Sequence, residues 1–308
     1  MKRDLISFSP WTAQEISDIF ALARRIKSGD MEDFRPLTDK SAALVFERES
    51  LRTRVSFEVC VAQLGGHPIF LQQEAIGMAT RESVYDIGSV LSRYNQLIIA
   101  RTTKHLTLVQ LAESASVPVI NAMTDLVHPC QILADVLTLQ ELGRFSSSTK
   151  IVFVGNGNNI VNSWLEIAEK LPIHFVFSCP PGFEPHPQIL DQAEAAKVSR
   201  IESILDPAEA VRGADVIYTD VWPTTLDDAR RGKREKIFKP FQLNASLLKR
   251  AKPDCIVMHR LPANRGEEIT RDVLDGKQSV VLPQAENRLH IQKGIIGYLV
   301  QRPAQSLP

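Results

Sequence analysis

Five runs of residues in this chain carry groups that could do chemistry. The first is Ser50-Leu51-Arg52-Thr53-Arg54-Val55-Ser56-Phe57-Glu58, which follows an apolar stretch and opens a helical one. It gathers hydroxyls and guanidiniums at a helix start, where unpaired N–H groups and the helix dipole already favour an anion. The planar fork of arginine meets a phosphate with two parallel hydrogen bonds. The same run also reads as an N-cap serine followed by solvated arginines, and spacing alone does not choose between the two. The second run spans Asp125 to Asp135, with His128 and Gln131 one helical turn apart at another helix start. With Arg101 at the end of a neighbouring strand, they offer donors for a carbonyl oxygen and an acceptor for an amide nitrogen. Cys130 sits among these groups, and a thiol nucleophile there would need a base that the sequence does not supply.

The third run, Gly155-Asn156-Gly157-Asn158-Asn159, resembles half of a dinucleotide fingerprint. Ile160 and Val161 stand where the third glycine would be, and Ser178-Cys179-Pro180 ends the next strand where a ribose-binding acid is needed. That argues against a nicotinamide enzyme. The asparagine amides suit an amino-acid carboxylate or, more simply, a helix cap. The fourth run, His259-Arg260-Leu261-Pro262 with Glu267 and Glu268 beyond it, follows an apolar strand. The fifth, Gln284-Ala285-Glu286-Asn287-Arg288, opens the last helix. Neither specifies a reaction by its spacing.

The elements around these runs alternate strand and helix. Apolar spacing predicts a first helix over 12–27, capped by Thr12 and Glu15. Strands are expected at 41–46, 67–71, 97–101 and 117–121, with helices over 54–64, 82–94, 106–115 and 131–142. A polar turn at 143–148 is the best domain boundary. The rhythm then restarts, with strands at 150–154, 174–178, 200–204, 216–219 and 255–258. Helices are expected over 161–170, 188–196 and 284–300. Near-continuous apolar strands mean parallel sheets covered on both faces, so the expected fold class is α/β with two doubly wound domains. Ligands of such sheets bind outside the carboxyl ends of the strands.

The chain has 308 residues, 36 basic and 36 acidic, 44% hydrophobic. A zero charge balance argues against nucleic-acid binding through bulk charge. No apolar run reaches the ~18 residues that a membrane span needs. The four cysteines are far apart, without C-x-x-C or a His pair at metal spacing. Neither a disulfide framework nor a metal site is expected, and the reading is a reduced cytoplasmic protein.

The run from Phe46-Glu47 through Arg52-Thr53-Arg54 to Phe57-Glu58, together with His128-Pro129-Cys130-Gln131, closely resembles the aspartate/ornithine carbamoyltransferase family. Cys130, Gly155 to Asn159, His259 with Leu261-Pro262, and Ala285-Glu286-Asn287-Arg288 resemble its ornithine branch. The resemblance extends from about Arg3 to Val300. It implies two α/β domains with the active site in the cleft between them: residues 1–145 completed by the C-terminal helix 284–302, and residues 146–283. It also implies a trimer, or a multiple of one, with no cofactor. The substrates would be carbamoyl phosphate and an amino-acid amine, with neither nucleic acid nor membrane as partner.

By the same resemblance, carbamoyl phosphate would lie on Ser50, the Leu51 backbone N–H, Arg52, Thr53, Arg101, His128, Gln131, the Leu261 carbonyl and Arg288. Arg101, His128 and Arg260 would stand at the reacting atoms, and Arg54 would form a structural ion pair. Asn159, Asp220, Thr224 and Thr225 would hold the acceptor. The acceptor half departs from the family pattern: Pro223-Thr224-Thr225 replaces Ser-Met-Gly, Asn156 replaces an aspartate, and Arg260 replaces the cysteine of His-Cys-Leu-Pro. Arg260 is expected to swing outward to an acid such as Glu267 or Glu268. Two other readings stand beside ornithine transfer. One is transfer to a different amine, such as a diamine or a modified amino acid. The other is a non-catalytic regulatory relative.

Overall fold

The computed structural model describes residues 2–78, 81–223 and 228–301. Along the chain run α1 (Ala13–Ser28), β1 (Ser41–Phe46), α2 (Leu51–Gln63), β2 (His67–Gln72), α3 (Gln73–Ile76), α4 (Val84–Tyr94), β3 (Leu97–Arg101), α5 (His105–Ser114) and β4 (Val119–Met123). Then come α6 (Pro129–Glu141), β5 (Lys150–Val154), α7 (Asn159–Ala168), β6 (His174–Ser178), α8 (Pro187–Ala196), β7 (Arg200–Ser203), α9 (Pro207–Ala210) and β8 (Val216–Thr219). The series ends with α10 (Asp228–Phe238), α11 (Ala245–Leu248), β9 (Ile256–Met258), α12 (Arg271–Leu274) and α13 (Val281–Gln301).

The chain forms two compact units. Unit 1 contains the residues up to Ala134 and those from Asn287 onward, and unit 2 is Asp135–Glu286. The chain therefore passes from one unit to the other inside α6 and returns inside α13.

Unit 1 carries a parallel sheet in the order β2-β1-β3-β4, and unit 2 a parallel sheet in the order β7-β6-β5-β8-β9. Ala42–Phe46 and Leu97–Ala100 are buried, as are Ile151–Val154 and Val216–Thr219, so the central strands are apolar on both faces. In each sheet the strand order reverses once. In unit 1 the reversal lies between β1 and β3, whose carboxyl ends pair as Phe46 with Arg101. In unit 2 it lies between β5 and β8, which end with Val154 beside Thr219. β9 flanks β8 and ends with Met258 beside Tyr218. Loops leaving adjacent strands at such a reversal turn to opposite faces and leave a crevice, which is where the chemistry-bearing runs emerge.

Local signals account for most element ends. Thr12 accepts from the Glu15 N–H while the Glu15 carboxylate accepts from the Thr12 N–H, closing the expected capping box. Gly65, with φ +86°, follows the α2 C-cap. α13 begins three residues before the sequence expectation, because Pro283 in a first turn forfeits no helical hydrogen bond. α10 has no counterpart in the sequence reading: Asp228–Phe238 is dominated by charged residues and offers no apolar period. It is held at its end by Phe238, which packs against Trp222 and Phe183.

The glycine pair after β5 has a steric reason unrelated to nucleotides. Gly155 adopts φ +131°. A Cβ on Gly157 would lie 2.4–2.6 Å from backbone atoms of Phe183, Glu184 and Pro185. The Gly157 N–H donates to the Phe183 carbonyl at 2.8 Å, so the loop after β5 lies directly against the loop after β6. Gly157→Ala is therefore expected to force the two loops apart and destabilise unit 2 by about 1–3 kcal/mol, measured by equilibrium urea unfolding.

Candidate active site

Unit 1 presents a cradle of oriented donors. Ser50 caps α2, its hydroxyl oxygen accepting from the Thr53 N–H at 3.4 Å. Arg101 Nη1 donates to Ser50 Oγ at 3.0 Å and to Thr53 Oγ1 at 3.4 Å, while Arg288 Nη2 donates to Thr53 Oγ1 at 2.8 Å. A hydroxyl has two lone pairs and one hydrogen. With two guanidiniums on the oxygen of Thr53, what that side chain has left to offer is its O–H. The cradle thus points a hydroxyl hydrogen and cationic forks at one place, beside the N-terminus of a helix. An anion there is stabilised by both guanidiniums, which otherwise repel each other.

The strand carrying Arg101 is adapted to this task. The pairing of β3 with β4 shifts between Ala100 and Arg101, so that Arg101 opposes Met123. Such a bulge re-aims the side chain at its end. Glu47 joins the loops after β1 and β3, its N–H donating to the Arg101 carbonyl at 2.9 Å and its carboxylate accepting from the Thr103 N–H.

His128 and Gln131 are buried at the start of α6. Pro129 at the first helical position and the Gln131 N–H on the His128 carbonyl at 3.0 Å set this turn. Arg52 is half-buried on the first turn of α2, and the Leu51 side chain is 73% exposed, leaving only its backbone to serve a ligand. Arg54 points elsewhere, with Nε 3.0 Å from the Glu58 carboxylate and its guanidinium 3.7 Å from the Phe70 ring centroid. That is the structural ion pair expected from the sequence.

Unit 2 presents a second constellation at its own strand reversal. Asp220, fully buried, accepts at Oδ2 from Asn158 Nδ2 (2.6 Å) and from Arg260 Nε (2.8 Å). Asn158 also caps α7 through Oδ1, so both ends of its amide are engaged. The residue adjoining Asp220 is thus Asn158, whereas the sequence reading singled out its neighbour Asn159, which is also buried here. Arg260 does not turn outward. Glu267 pairs with Arg234 at 3.0 Å and Glu268 faces His259, while the arginine lies against Asp220. Burial works against the guanidinium charge, but Asp220 more than offsets it, so the Arg260 pKa sits above its ordinary value. Thr224 and Thr225 lie outside the described residues; before them, the Pro223 carbonyl accepts from Arg234 at 3.2 Å.

The Leu261 backbone is held in a left-handed conformation, φ +57°, which a leucine adopts only under constraint. Its N–H donates to His259 Nδ1 at 2.9 Å, which requires that nitrogen to be unprotonated. His259 Nε2 then carries the hydrogen and donates to Glu268 Oε1, which also accepts from the Asn264 N–H at 2.6 Å. The His259–Glu268 pair is the buried clip that shapes this loop. Gln284 continues the network, accepting from the His259 N–H and donating to Asp135 and to the Tyr218 hydroxyl. Burial, then the Asp135 and Asp220 charges, push the Tyr218 pKa well above its ordinary value, so the hydroxyl stays protonated. Asn158 fills the helix-cap role that the sequence offers for the asparagines of this loop, whereas its bond to Asp220 and the parts played by Tyr218 and Asp135 have no counterpart there. The signal available for Tyr218 was its place two residues before Asp220, on the same face of a strand.

Residues 3–141 match the family described as aspartate/ornithine carbamoyltransferase, carbamoyl-P binding domain, and residues 147–299 match its Asp/Orn binding domain. The chain belongs to the aspartate/ornithine carbamoyltransferase family. Among relatives of this carbamoyltransferase family member is the ornithine carbamoyltransferase of Chlorobaculum tepidum. The two are 47% identical over 300 residues, 96% of this chain and 89% of that protein. The ornithine carbamoyltransferase of Syntrophus aciditrophicus is 46% identical over 302 residues, 97% of this chain and all of that protein. The solved ornithine carbamoyltransferase of Pyrococcus furiosus superposes with a TM-score of 0.92 at 43% identity, covering 96% of each chain.

In this carbamoyltransferase-family chain, Cys130 is not built as a nucleophile. It is buried, donates to the Asn121 carbonyl at 3.3 Å, and burial pushes its pKa up to about 12. Cys179 and Cys255 are likewise pushed up to about 12 by burial, and Cys60 higher still. Among the described residues no helix is long and apolar enough to cross a membrane.

Two outcomes are expected here. A disulfide thiol reagent at pH 8 should titrate fewer than one thiol in the native protein and all four in denaturant. Glu268→Ala should cost about 2–4 kcal/mol in urea unfolding by stranding the buried His259 donor and releasing the Asn264 N–H, and Glu268→Gln, which keeps the accepting oxygen, less than half of that.

Proposed function

We propose that the chain transfers the carbamoyl group of carbamoyl phosphate to the side-chain amine of ornithine, giving citrulline and phosphate. The observation that carries this reading is the hydroxyl of Thr53 held between Arg101 and Arg288 at a helix N-terminus. The family membership of both halves of the chain supports it. The carbamoyl-phosphate domain is taken as residues 1–145 with helix 284–302, and the acceptor domain as residues 146–283.

In this reaction the neutral amine attacks the carbonyl carbon, the carbonyl oxygen gains the negative charge, and the tetrahedral centre collapses by expelling phosphate as the nitrogen loses a proton. Ser50, the Leu51 N–H, Arg52, Thr53 and Arg101 would take the phosphate oxygens. Thr53, Arg101 and His128 would donate to the developing oxyanion. Gln131, the Leu261 carbonyl and Arg288 would hold the carbamoyl amide side. Each oxyanion donor of this kind contributes on the order of 10²–10³ in turnover. Asn159 and Asp220, with Thr224 and Thr225, are proposed to serve the ornithine head group. The working form is proposed to be a trimer, or a multiple of one, in the cytoplasm.

The test is product formation from carbamoyl phosphate with ornithine, putrescine, N-acetylornithine, lysine or aspartate in parallel. Ornithine should exceed each of the others at least tenfold in kcat/KM. A higher value for another amine would transfer the assignment to that acceptor, and no product from any of them would favour the regulatory relative. Thr53→Val should lower kcat about 10²–10³ with the protein still folded. Arg52→Ala and His128→Ala should each lose most activity, and a folded variant within threefold of wild type would remove its residue from the assignment. Light scattering should give the mass of a trimer or its multiple.

A further inference from the structure

The loops that carry Arg101 and His128 leave adjacent strands, β3 and β4, and are fastened to each other. The Thr102 N–H donates to the Met123 carbonyl at 3.2 Å, and the His105 N–H to Asp125 Oδ1 at 2.9 Å. Asp125 thereby satisfies the first N–H of α5, which has no partner inside its own helix. Lys104 Nζ donates to Asp125 Oδ2 at 3.2 Å, and His105 Nδ1 lies 3.1 Å from Thr124 Oγ1.

Thr124 is the hub of the second loop. Its N–H donates to the Val127 carbonyl at 3.1 Å, and its hydroxyl donates to the same carbonyl at 3.2 Å. Thr124 Oγ1 also accepts from the Leu126 and Val127 N–H groups, both at 3.3 Å. Asn121 supports the turn from behind, with Nδ2 3.4 Å from the Val127 carbonyl and Oδ1 accepting from the Met123 N–H at 2.9 Å. Both side chains are buried. One hydroxyl therefore closes the turn whose next residue is His128. Met123, just before it, is held at φ +146°, a region that a residue with a side chain occupies only when its surroundings impose it.

We infer that Thr124 is a positioning residue for the transfer reaction: its hydroxyl, clasped to Val127 and His105, fixes His128 relative to Arg101. The inference rests on the carbamoyl-transfer reading, in which Arg101 and His128 donate to one developing oxyanion from separate loops. Two donors stabilise one oxygen only if their separation is set before the charge appears. A misplacement of about 1 Å in such a site can lower the rate about 10²-fold. The oxyanion exists only beyond the ground state, so a loosened clasp lowers kcat far more than it raises KM.

Steady-state kinetics of the full chain should show Thr124→Val lowering kcat at least tenfold, with the KM for carbamoyl phosphate changed less than threefold. Thr124→Ser, which restores the hydroxyl, should bring kcat back to within threefold of wild type. In a His128→Ala background, Thr124→Val should lower kcat less than twofold further, because the group it positions is gone. If Thr124→Val does not fold, Asp125→Ala decides the matter, since that side chain is 45% exposed and its loss cuts only the strap from α5. It should lower kcat at least fivefold, with Asp125→Asn restoring at least half of the wild-type value. The NMR signal of the His128 ring, identified by its loss in His128→Ala, gives a readout without turnover. It should shift or broaden in Thr124→Val and return to its wild-type position in Thr124→Ser. Smaller falls in kcat, a rise in KM that matches the fall, or no recovery with serine overturns the inference. So does a loss that persists without His128, or a His128 signal that does not move. A wild type that carbamoylates no amine, but whose His128 signal follows Thr124 in this way, refutes the transfer reading and leaves the clasp standing.

Discussion

A parallel sheet sends every strand's carboxyl end to the same edge, and a single reversal of strand order leaves two neighbouring loops there with no helix packed between them. Both candidate half-sites depend on that constraint. In unit 1 it sets the Ser50–Thr53 turn beside Arg101, and in unit 2 it sets Asn158 beside Asp220 and Arg260. None of these residues is adjacent in sequence to its partner on the neighbouring strand. Their meeting follows from the order β2-β1-β3-β4 and the order β7-β6-β5-β8-β9.

The two halves use the same device on opposite charges. At Thr53 the lone pairs of a neutral oxygen are filled by guanidiniums, which leaves donors facing outward. At Asp220 one carboxylate oxygen is filled by an amide and a guanidinium, which leaves a donor fork and an acceptor. In each case the protein makes the internal bonds first, so that a ligand meets groups with few remaining orientations. Preorganisation of this kind lowers the cost of ordering side chains on binding.

Much of this was legible in the residues themselves. The strand and helix rhythm, the Thr12–Glu15 capping box, and the placement of chemistry-bearing runs at strand ends follow from periods and caps that act over a few residues. Other features lie beyond a local reading. Gln284 reaches Asp135 across 149 positions, and Arg260 chooses Asp220 over the nearer Glu267 and Glu268 because those acids are already engaged by Arg234 and His259. The half-fingerprint after β5 was ambiguous for the same reason. Its glycines answer to the backbone of Phe183–Pro185, which no spacing rule between residues 155 and 159 can reveal. The charged helix α10 lacks an apolar stripe and is tied down by the buried Phe238 at its end and by the bonds of Arg234 to Glu267 and to the Pro223 carbonyl.

Unit 1 is discontinuous, and this bears on how the protein is made. Arg288 joins Thr53 across 235 residues, and Lys27 joins Asn287 across 260. At ~5–20 residues per second, a ribosome takes from about ten to about fifty seconds to travel from Thr53 to Arg288. Through that interval the strands of the first sheet exist without their closing helix, while unit 2 is completed ahead of it. A nascent or prematurely terminated chain can therefore contain nearly every residue of the anion cradle and still lack the cation that finishes it. A cradle complete enough to hold a reactive, hydrolysable acyl phosphate is thus acquired only in the last stage of synthesis.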